Sequence, residues 1–156
     1  MKQTTERLIP LLRQELSIIK NLVMQKEIIR QFQILYFGAR FQNRTWATTY
    51  WGGVRVLKCP LDLWVYQEII NELKPDVIIE TGTSRGGSAL YLASICDFIG
   101  KGRVITIDLE VPFDKKTGRP VQLPKHDRIT YIIGSSTSQK TVEKVKSLIK
   151  RGEKVL

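Results

Sequence analysis

A short apolar run that ends in an acid and leads directly into a glycine-rich turn is the feature that most constrains this chain. Residues 77–87 read Val-Ile-Ile-Glu-Thr-Gly-Thr-Ser-Arg-Gly-Gly, so the run closes on Glu80. A second apolar run, residues 104–107, ends in Asp108. In open α/β sheets, ligands bind beyond the carboxyl ends of parallel strands, where glycines let backbone N–H groups approach them. The pattern therefore predicts a binding site at these two strand ends.

The same alternation of strand and helix continues along the chain. Strands are predicted at 77–80, 104–108 and 129–133, with a fourth beginning at 155–156, and helices are predicted from residue 60 to 74, at 88–99 and at 141–150. Short apolar strands separated by helices favour a parallel sheet with right-handed crossovers. The fold class is therefore α/β, a parallel sheet with flanking helices. We expect residues 1–40 to be a helical extension and residues 41–156 to be the α/β domain.

The segments outside this alternation are harder to interpret. Apolar residues at three- and four-residue steps predict a long helix over 8–35, starting near Pro10 and stopping at Gly38. Its apolar face fits packing against the domain or a sister subunit, contact with a membrane surface, or a nucleic-acid arm. Residues 41–58 are predicted to be an aromatic loop or lid with a short strand at 54–57, and residues 110–127 a long polar loop.

Composition narrows the class of protein. The chain has 156 residues, no run of 18 apolar residues, no signal-peptide pattern and two cysteines without metal-ligand spacing, so we expect a cytoplasmic domain with reduced thiols. The net charge of +10 is uneven: residues 1–58 carry 10 Lys/Arg against 3 Asp/Glu, residues 59–110 carry 4 against 8, and residues 111–156 carry 11 against 4. An acidic glycine-loop segment disfavours a phosphate-rich ligand, whereas the basic flanks leave an anionic partner open.

The glycine spacing identifies the kind of ligand. Gly82-x-x-x-Gly86 is neither the dinucleotide fingerprint nor a P-loop. A carboxylate at Glu80 repels phosphate but attracts an ammonium or sulfonium group, and S-adenosylmethionine carries both of these cations and no phosphate. The predicted contacts of the first loop are Glu80, Gly82, Thr83, Ser84, Gly86, Gly87 and Ser88. The alternative is a strand–turn–helix in which the glycines only make the turn.

Two further strand ends complete the predicted site. Asp108 can accept hydrogen bonds from both ribose hydroxyls, or it can simply cap a helix. Ser135 and Ser136 follow the third strand, where they could reach an adenine edge or cap the next helix. The single histidine, His126, lies in the predicted polar loop and is interpreted as a loop residue, so no catalytic base is assigned.

Together these residues resemble the cephalosporin hydroxylase family. The resemblance rests on Lys58-Cys-Pro-Leu-Asp-Leu-Trp-Val-Tyr-Gln-Glu-Ile-Ile70, on Lys74-Pro-Asp-Val-Ile-Ile-Glu-Thr-Gly-Thr83 and on Gly86-Gly-Ser-Ala-Leu-Tyr-Leu-Ala93, and it extends over roughly 45–156. That family consists of S-adenosylmethionine-dependent methyltransferase-like proteins and includes rhamnosyl O-methyltransferases. The resemblance implies a Rossmann-like methyltransferase fold, a homo-oligomer, and a small-molecule or sugar hydroxyl as acceptor.

The resemblance also implies parts that this sequence lacks. In the family, the segment after the fourth strand and a later strand supply acids expected to hold a magnesium ion, and the sequence ends at Lys154-Val-Leu156. We therefore expect no metal ligands here, a C-terminally truncated chain, and cofactor binding without turnover.

A function of another class stays open on the residues alone. A degenerate nucleotide-binding fold could serve as a non-enzymatic scaffold, with the helix over 8–35 and the Lys-rich end 140–154 binding an anionic surface. Nucleic acid is not expected for the methyltransferase, while peripheral membrane contact through the N-terminal helix is compatible with it.

Overall fold

A computed structural model describes residues 2–38, 48–114 and 117–156, with side chains from residue 13 onward. The chain divides into two compact units, Met1–Thr45 and Trp46–Leu156. The predicted boundary at residue 40 lies outside the described residues, as do Phe41 and Trp46 of the predicted aromatic loop.

The first unit contains one long helix, α1 (Lys2–Gly38). The helix stops at Gly38 as predicted, but it begins well before Pro10, so the predicted start was wrong. A proline ring holds φ near its helical value, and one proline removes only one backbone hydrogen bond from a helix of this length. Among the described residues, no helix is both long and apolar enough to cross a membrane.

The second unit is built on a parallel sheet. Its helices are α2 (Pro60–Leu73), α3 (Gly87–Phe98) and α4 (Gln139–Ser147), and the strands of the parallel sheet are β3 (Val77–Thr81), β4 (Arg103–Asp108) and β7 (Ile129–Ile133). The order is β3-β4-β7, and both neighbouring pairs are parallel. Val155 makes a parallel bridge to Val77, so the last residues lie at the free edge of β3. This is the predicted α/β fold.

Two antiparallel hairpins flank the sheet, where the sequence had predicted loops. The first pairs β1 (Thr49–Trp51) with β2 (Val54–Val56) around Gly52 and Gly53, and the second pairs β5 (Phe113–Asp114) with β6 (Arg119–Pro120). Both glycines of the first turn have positive φ, which matches the twist of a tight hairpin. The predictions of one strand at 54–57 and of an unbroken polar loop over 110–127 were therefore incomplete.

Alternation along the strands divides the core between the two faces of the sheet. Ile78 and Val104 pack with α2 and α3, whereas Val77, Ile105 and Ile107 pack against the face covered by α4. Helices cover both faces of the sheet, and the edge at the carboxyl ends of its strands stays open. The buried cysteines, Cys59 and Cys96, are both free thiols.

Candidate functional site

The carboxyl ends of β3, β4 and β7 open into one cleft of about 210 Å³. Its walls are Thr81, Gly82, Ile107, Asp108, Leu109, Gly134, Ser135 and Ser136. The loop that enters α3 begins at this cleft with Gly82, and it needs left-handed backbone at Gly82 (φ 91°), Ser84 (φ 47°) and Gly86 (φ 78°). The predicted strand ends therefore do meet at one edge of the sheet.

Asp108 ties the first loop to the second strand. Its Oδ2 accepts a hydrogen bond from the Ser84 N–H at 2.8 Å, and its Oδ1 accepts one from the Leu109 N–H at 2.8 Å. These bonds hold Ser84 in its strained conformation. Each carboxylate oxygen has a second lone pair, so Asp108 can still accept hydrogen bonds from a ligand in the cleft.

Glu80 is a buried carboxyl group with only 8 % of its surface exposed. Its Oε2 accepts from the Thr106 hydroxyl at 2.8 Å, and the Thr83 hydroxyl lies 2.7 Å from that of Thr106. Oε1 has no hydrogen-bond partner among the described residues. A buried acceptor without a donor costs free energy, so this oxygen points to a ligand that brings one.

The surroundings of Glu80 favour its neutral form. Burial raises the pKa of Glu80 above its ordinary value, and the nearby charge of Asp108 acts in the same direction. The hydroxyls of Ser88 and Thr106 and the charge of Lys58 oppose that shift in part. A cation placed against Oε1 would stabilise the charged form.

Two of the predicted glycines have a packing reason of their own. A Cβ on Gly87 would lie 2.1 Å from the Arg55 carbonyl oxygen, so the hairpin of β1 and β2 lies directly on the first turn of α3. A Cβ on Gly86 would lie 2.7 Å from Cδ of Pro124. These residues shape the loop whether or not they also contact a ligand.

Of the remaining residues predicted to contact the ligand, some line the cleft and one is buried in the core. Ser88 is buried in the first turn of α3, while Ser135 and Ser136 line the cleft. The N-cap of α4 is Ser138, whose side chain accepts from the Thr141 N–H, so the alternative in which Ser135 or Ser136 caps this helix was wrong. His126 contacts Asp97, with 3.0 Å between Nε2 and Oδ2, and is held in a surface ion-pair cluster with Arg128.

The sequence reasoning missed two cations beside the glycine loop. A small cavity of about 50 Å³ at the start of α3 is lined by Arg55 and Lys58 together with Arg85, which lies 3.6 Å from Asp114. The prediction that the glycine loop lies in acidic surroundings was therefore wrong. Arg55 and Lys58 come from the segment before residue 59, and the fold places them beside the loop. The close approach of Arg55 to Gly87 could have been suspected from the two adjacent glycines.

The part of the chain that the structure describes contains no preformed magnesium site. No group of three or more His, Cys, Asp or Glu side chains lies together there. Glu80 and Asp108 have no third ligand of these types beside them among the described residues, so these residues do not fit a magnesium centre.

A doubly wound sheet with a glycine loop after one strand and an acid closing the next defines a nucleotide-type binding domain of the Rossmann-like class. The family described as "Rhamnosyl O-methyltransferase/CmcI" matches residues 43–156. The chain therefore belongs to the Rhamnosyl O-methyltransferase/CmcI family, which confirms the family predicted from the sequence.

Individual relatives agree with this membership. A rhamnosyl O-methyltransferase of Mycobacterium leprae (strain TN) is 36 % identical over 100 residues, which cover 62 % of this chain and 42 % of the relative. The protein of the same name from Mycobacterium tuberculosis (strain ATCC 25618 / H37Rv) is 39 % identical over 82 residues, covering 52 % of this chain and 32 % of the relative.

Solved structures of CmcI share the fold. An apo-structure matches with a TM-score of 0.54 and 27 % identity over 64 % of this chain and 41 % of the other. A structure described as Mg-SAM matches with a TM-score of 0.54 and 29 % identity over 62 % and 40 %. The chain thus spans less than half of the length of each of these relatives.

Proposed function

We propose that this chain is the cofactor-binding portion of an S-adenosylmethionine-dependent O-methyltransferase that acts on a hydroxyl group of a small molecule or sugar. The observation that carries the proposal is the pair of acids, Glu80 and Asp108, at neighbouring strand ends on either side of one glycine loop. The relatives named as rhamnosyl O-methyltransferases and the CmcI structure described with SAM support it.

Each part of the cofactor has a matching group in this arrangement. Asp108 has free lone pairs for the two ribose hydroxyls, and Ser135 and Ser136 lie on the same cleft, where an adenine edge would reach them. Gly82 brings backbone without a side chain to the cleft, with its own N–H donating to the Ile107 carbonyl oxygen, and the first N–H groups of α3 follow the loop. Oε1 of Glu80 accepts a hydrogen bond from the ammonium group of the methionine part.

Methyl transfer depends mainly on placing the methyl carbon in line with the attacking oxygen. The residues proposed here hold one of the two reactants, and we assign no catalytic base among the described residues. We therefore expect cofactor affinity to reside at the carboxyl ends of β3 and β4, in the two cavities that Glu80 and Asp108 line.

The proposal is tested by measuring S-adenosylmethionine binding with calorimetry. We expect Asp108→Asn and Glu80→Gln to weaken binding about tenfold to a hundredfold, since each removes a charged acceptor. The matched controls are Asp127→Asn and Glu72→Gln, which make the same chemical changes at exposed positions. Circular dichroism establishes that each variant is folded.

Two outcomes would contradict the proposal. A folded parent chain that binds neither S-adenosylmethionine nor S-adenosylhomocysteine has no cofactor site. Salt-sensitive binding to anionic vesicles or nucleic acid, without any cofactor affinity, would favour the scaffold function instead.

The homo-oligomer is a further prediction, and the first unit bears on it. Within α1, apolar side chains such as Leu16, Val23, Ile28 and Leu35 are more than half exposed. Exposed apolar surface of this extent needs a partner. We expect light scattering to give at least twice the chain mass of 17.9 kDa. A monomer at micromolar concentration would refute this expectation.

A further inference from the structure

Residues 121–128 connect the hairpin of β5 and β6 to the start of β7, and we call this segment the strap. At its first residue, the Val121 N–H donates to the Pro112 carbonyl oxygen at 2.8 Å. Its middle lies beside an open groove of about 330 Å³, which Leu123, Ile129 and Tyr131 help to line. The groove leaves this part of the strap with little packing, so its position depends on a small number of contacts.

Pro124 places the strap directly against the glycine loop. A Cβ on Gly86 would lie 2.7 Å from Cδ of Pro124 and 3.2 Å from Oη of Tyr131, so both groups lie against this glycine. The Tyr131 hydroxyl donates to the Pro124 carbonyl oxygen at 2.8 Å and so holds the proline in place. Gly86 is the N-cap of α3, with a left-handed φ of 78°. The position of Pro124 therefore bears on the backbone at the start of α3.

His126 fixes the other end of the strap near the last turn of α3. Its Nε2 lies 3.0 Å from Oδ2 of Asp97, and its Nδ1 accepts a hydrogen bond from the Arg128 N–H at 3.2 Å. An Nδ1 that accepts carries no proton, so the ring is neutral and its Nε2–H donates to Asp97. The Arg128 guanidinium also donates to Asp97, and it donates to the Gly102 carbonyl oxygen at 2.7 Å.

The charged groups that face His126 come from α3 and from the strap itself. Asp97 is the one from α3, and Arg128 is at the end of the strap. Lys125 and Asp127 flank the histidine in the sequence and are exposed. The hydrogen bond from Arg128 is the main cause that lowers the pKa of Asp97, so this carboxylate stays charged over the range in which histidine titrates.

We propose that the strap couples the protonation of His126 to the glycine loop: the neutral ring keeps Pro124 against Gly86, and a proton taken up at Nδ1 releases it. A protonated Nδ1 can no longer accept from the Arg128 N–H, and the two N–H groups would face each other. The ring stays bound to Asp97 through its Nε2–H, so the backbone on either side of His126 has to move. Pro124 lies on that backbone, two residues away.

The direction of the pH dependence follows from the neutral ring. Histidine is the side chain whose charge ordinarily changes between about pH 5 and pH 8, so the strap holds the loop at the upper end of this range and releases it at the lower end. The effect on binding rests on the proposed function, because a released loop should hold S-adenosylmethionine less tightly. The movement of the loop itself needs no ligand.

The first test is an NMR titration of the full chain without ligand. His126 is the only histidine in the sequence, so its imidazole signals are unambiguous. We expect the Gly86 amide resonance to shift with the same midpoint as the imidazole. Tyr131→Phe frees the Pro124 carbonyl oxygen and should reduce this shift about twofold or more. The matched control, Tyr50→Phe, makes the same change at an exposed position and should not alter it.

The second test is calorimetry of S-adenosylhomocysteine binding at about pH 7.5 and about pH 5.5. The parent should bind more weakly at the lower pH, in part because Glu80, whose pKa is raised by burial, also takes up protons. In His126→Asn the side chain can still accept from the N–H two residues on, but it does not titrate. The ratio of the two affinities should therefore be about threefold smaller than in the parent. By linkage, the ligand should then lower the midpoint of the imidazole titration by about 0.5 pH units.

The outcomes separate the strap coupling from the proposed function. A Gly86 resonance that stays constant while the imidazole titrates, or that follows it equally in folded Tyr131→Phe, overturns the coupling. The same affinity ratio in parent and His126→Asn also overturns it and leaves the cofactor site standing. If the folded parent binds no S-adenosylhomocysteine while Gly86 follows the imidazole, the coupling stands and the proposed function fails.

Discussion

Gly87→Ala is the substitution whose effect the structure defines best. The added Cβ would lie 2.1 Å from the Arg55 carbonyl oxygen, 2.6 Å from its carbonyl carbon and 2.9 Å from Cγ2 of Val56. Normal carbon–oxygen contacts are about 3.3 Å or longer, so the hairpin must move away by more than about 1 Å. Because the obstacle is backbone, no side-chain rotation can relieve the clash.

The magnitude follows from two opposing terms. Overpacking of this kind costs typically about 1–3 kcal/mol and sometimes more, whereas alanine in place of glycine gains at most about 1 kcal/mol in a helix. The φ of Gly87 lies outside the left-handed region, so no backbone strain is added. We expect the unfolding free energy to fall by about 2 kcal/mol, which for a domain of this size corresponds to a melting temperature about 8 °C lower or more.

Urea unfolding followed by circular dichroism measures this loss. Gly38→Ala is the control, since its Cβ would meet only Cγ2 of Ile34, at 3.8 Å. A Gly87→Ala variant within about 0.5 kcal/mol of the parent would refute the inferred contact between hairpin and helix.

Three other substitutions test separate parts of the domain. Glu80→Gln should raise stability at neutral pH, because a group whose folded pKa is raised contributes stability below its unfolded pKa, near 4.5, and loses it as pH rises through the folded pKa. The urea midpoint of Glu80→Gln should therefore lie above that of the parent, and the difference should grow as pH rises above about 4.5. Glu72→Gln is the control, and its midpoint should match that of the parent. Arg103→Gln breaks two 2.8 Å hydrogen bonds to Glu153, whose pKa is lowered to about 2 mainly by Arg103. The parent loses the contribution of Glu153 as pH falls from about 4.5 to 2, so the difference in melting temperature between parent and variant should shrink there. The remaining difference reports the bond from Arg103 to the Leu148 carbonyl oxygen, which does not titrate. Tyr91→Phe removes the hydroxyl that donates to the Leu63 carbonyl oxygen and should cost about 1–3 kcal/mol in urea unfolding, because that buried acceptor loses its partner.

The sheet was predictable because its strands are continuous apolar runs. Residues 129–133 form a strand with the bounds that were predicted, and residues 77 and 104 lie within a residue of the observed starts. Strands covered on both faces leave a clear mark in a sequence, since most of their positions are apolar. The acids at the ends of two such runs then fix which edge of the sheet carries the site.

The first hairpin was missed for a different reason. Gly52 and Gly53 between two short runs are a typical hairpin signal, but the aromatic residues around them suggested a lid. Strands of three residues carry little periodicity, and their stability comes from packing on α3 through Gly87, which is invisible until the fold is known.

The cations of the site were missed because charge was divided along the sequence. Residues 59–110 are acidic as a segment, yet Arg55 and Lys58 reach the glycine loop from outside that segment. Potential in a site depends on distances in space and on the local dielectric, and neither follows the order of the chain. The polarity of the loop could be inferred only once the hairpin was placed.

Glu80 and Asp108 have equivalent positions in the sequence, each at the end of an apolar strand. In the structure their environments differ, so substitutions of the two residues test function differently. Both oxygens of Asp108 accept from backbone N–H groups, so Asp108→Asn disturbs the loop even in the absence of any ligand. Glu80 is buried with one oxygen unpartnered, an arrangement that lowers stability and that the fold does not need. Places where local structure conflicts with stability are expected at functional sites. A Glu80→Gln variant that is more stable than the parent and binds S-adenosylmethionine more weakly would therefore separate function from folding in a single residue.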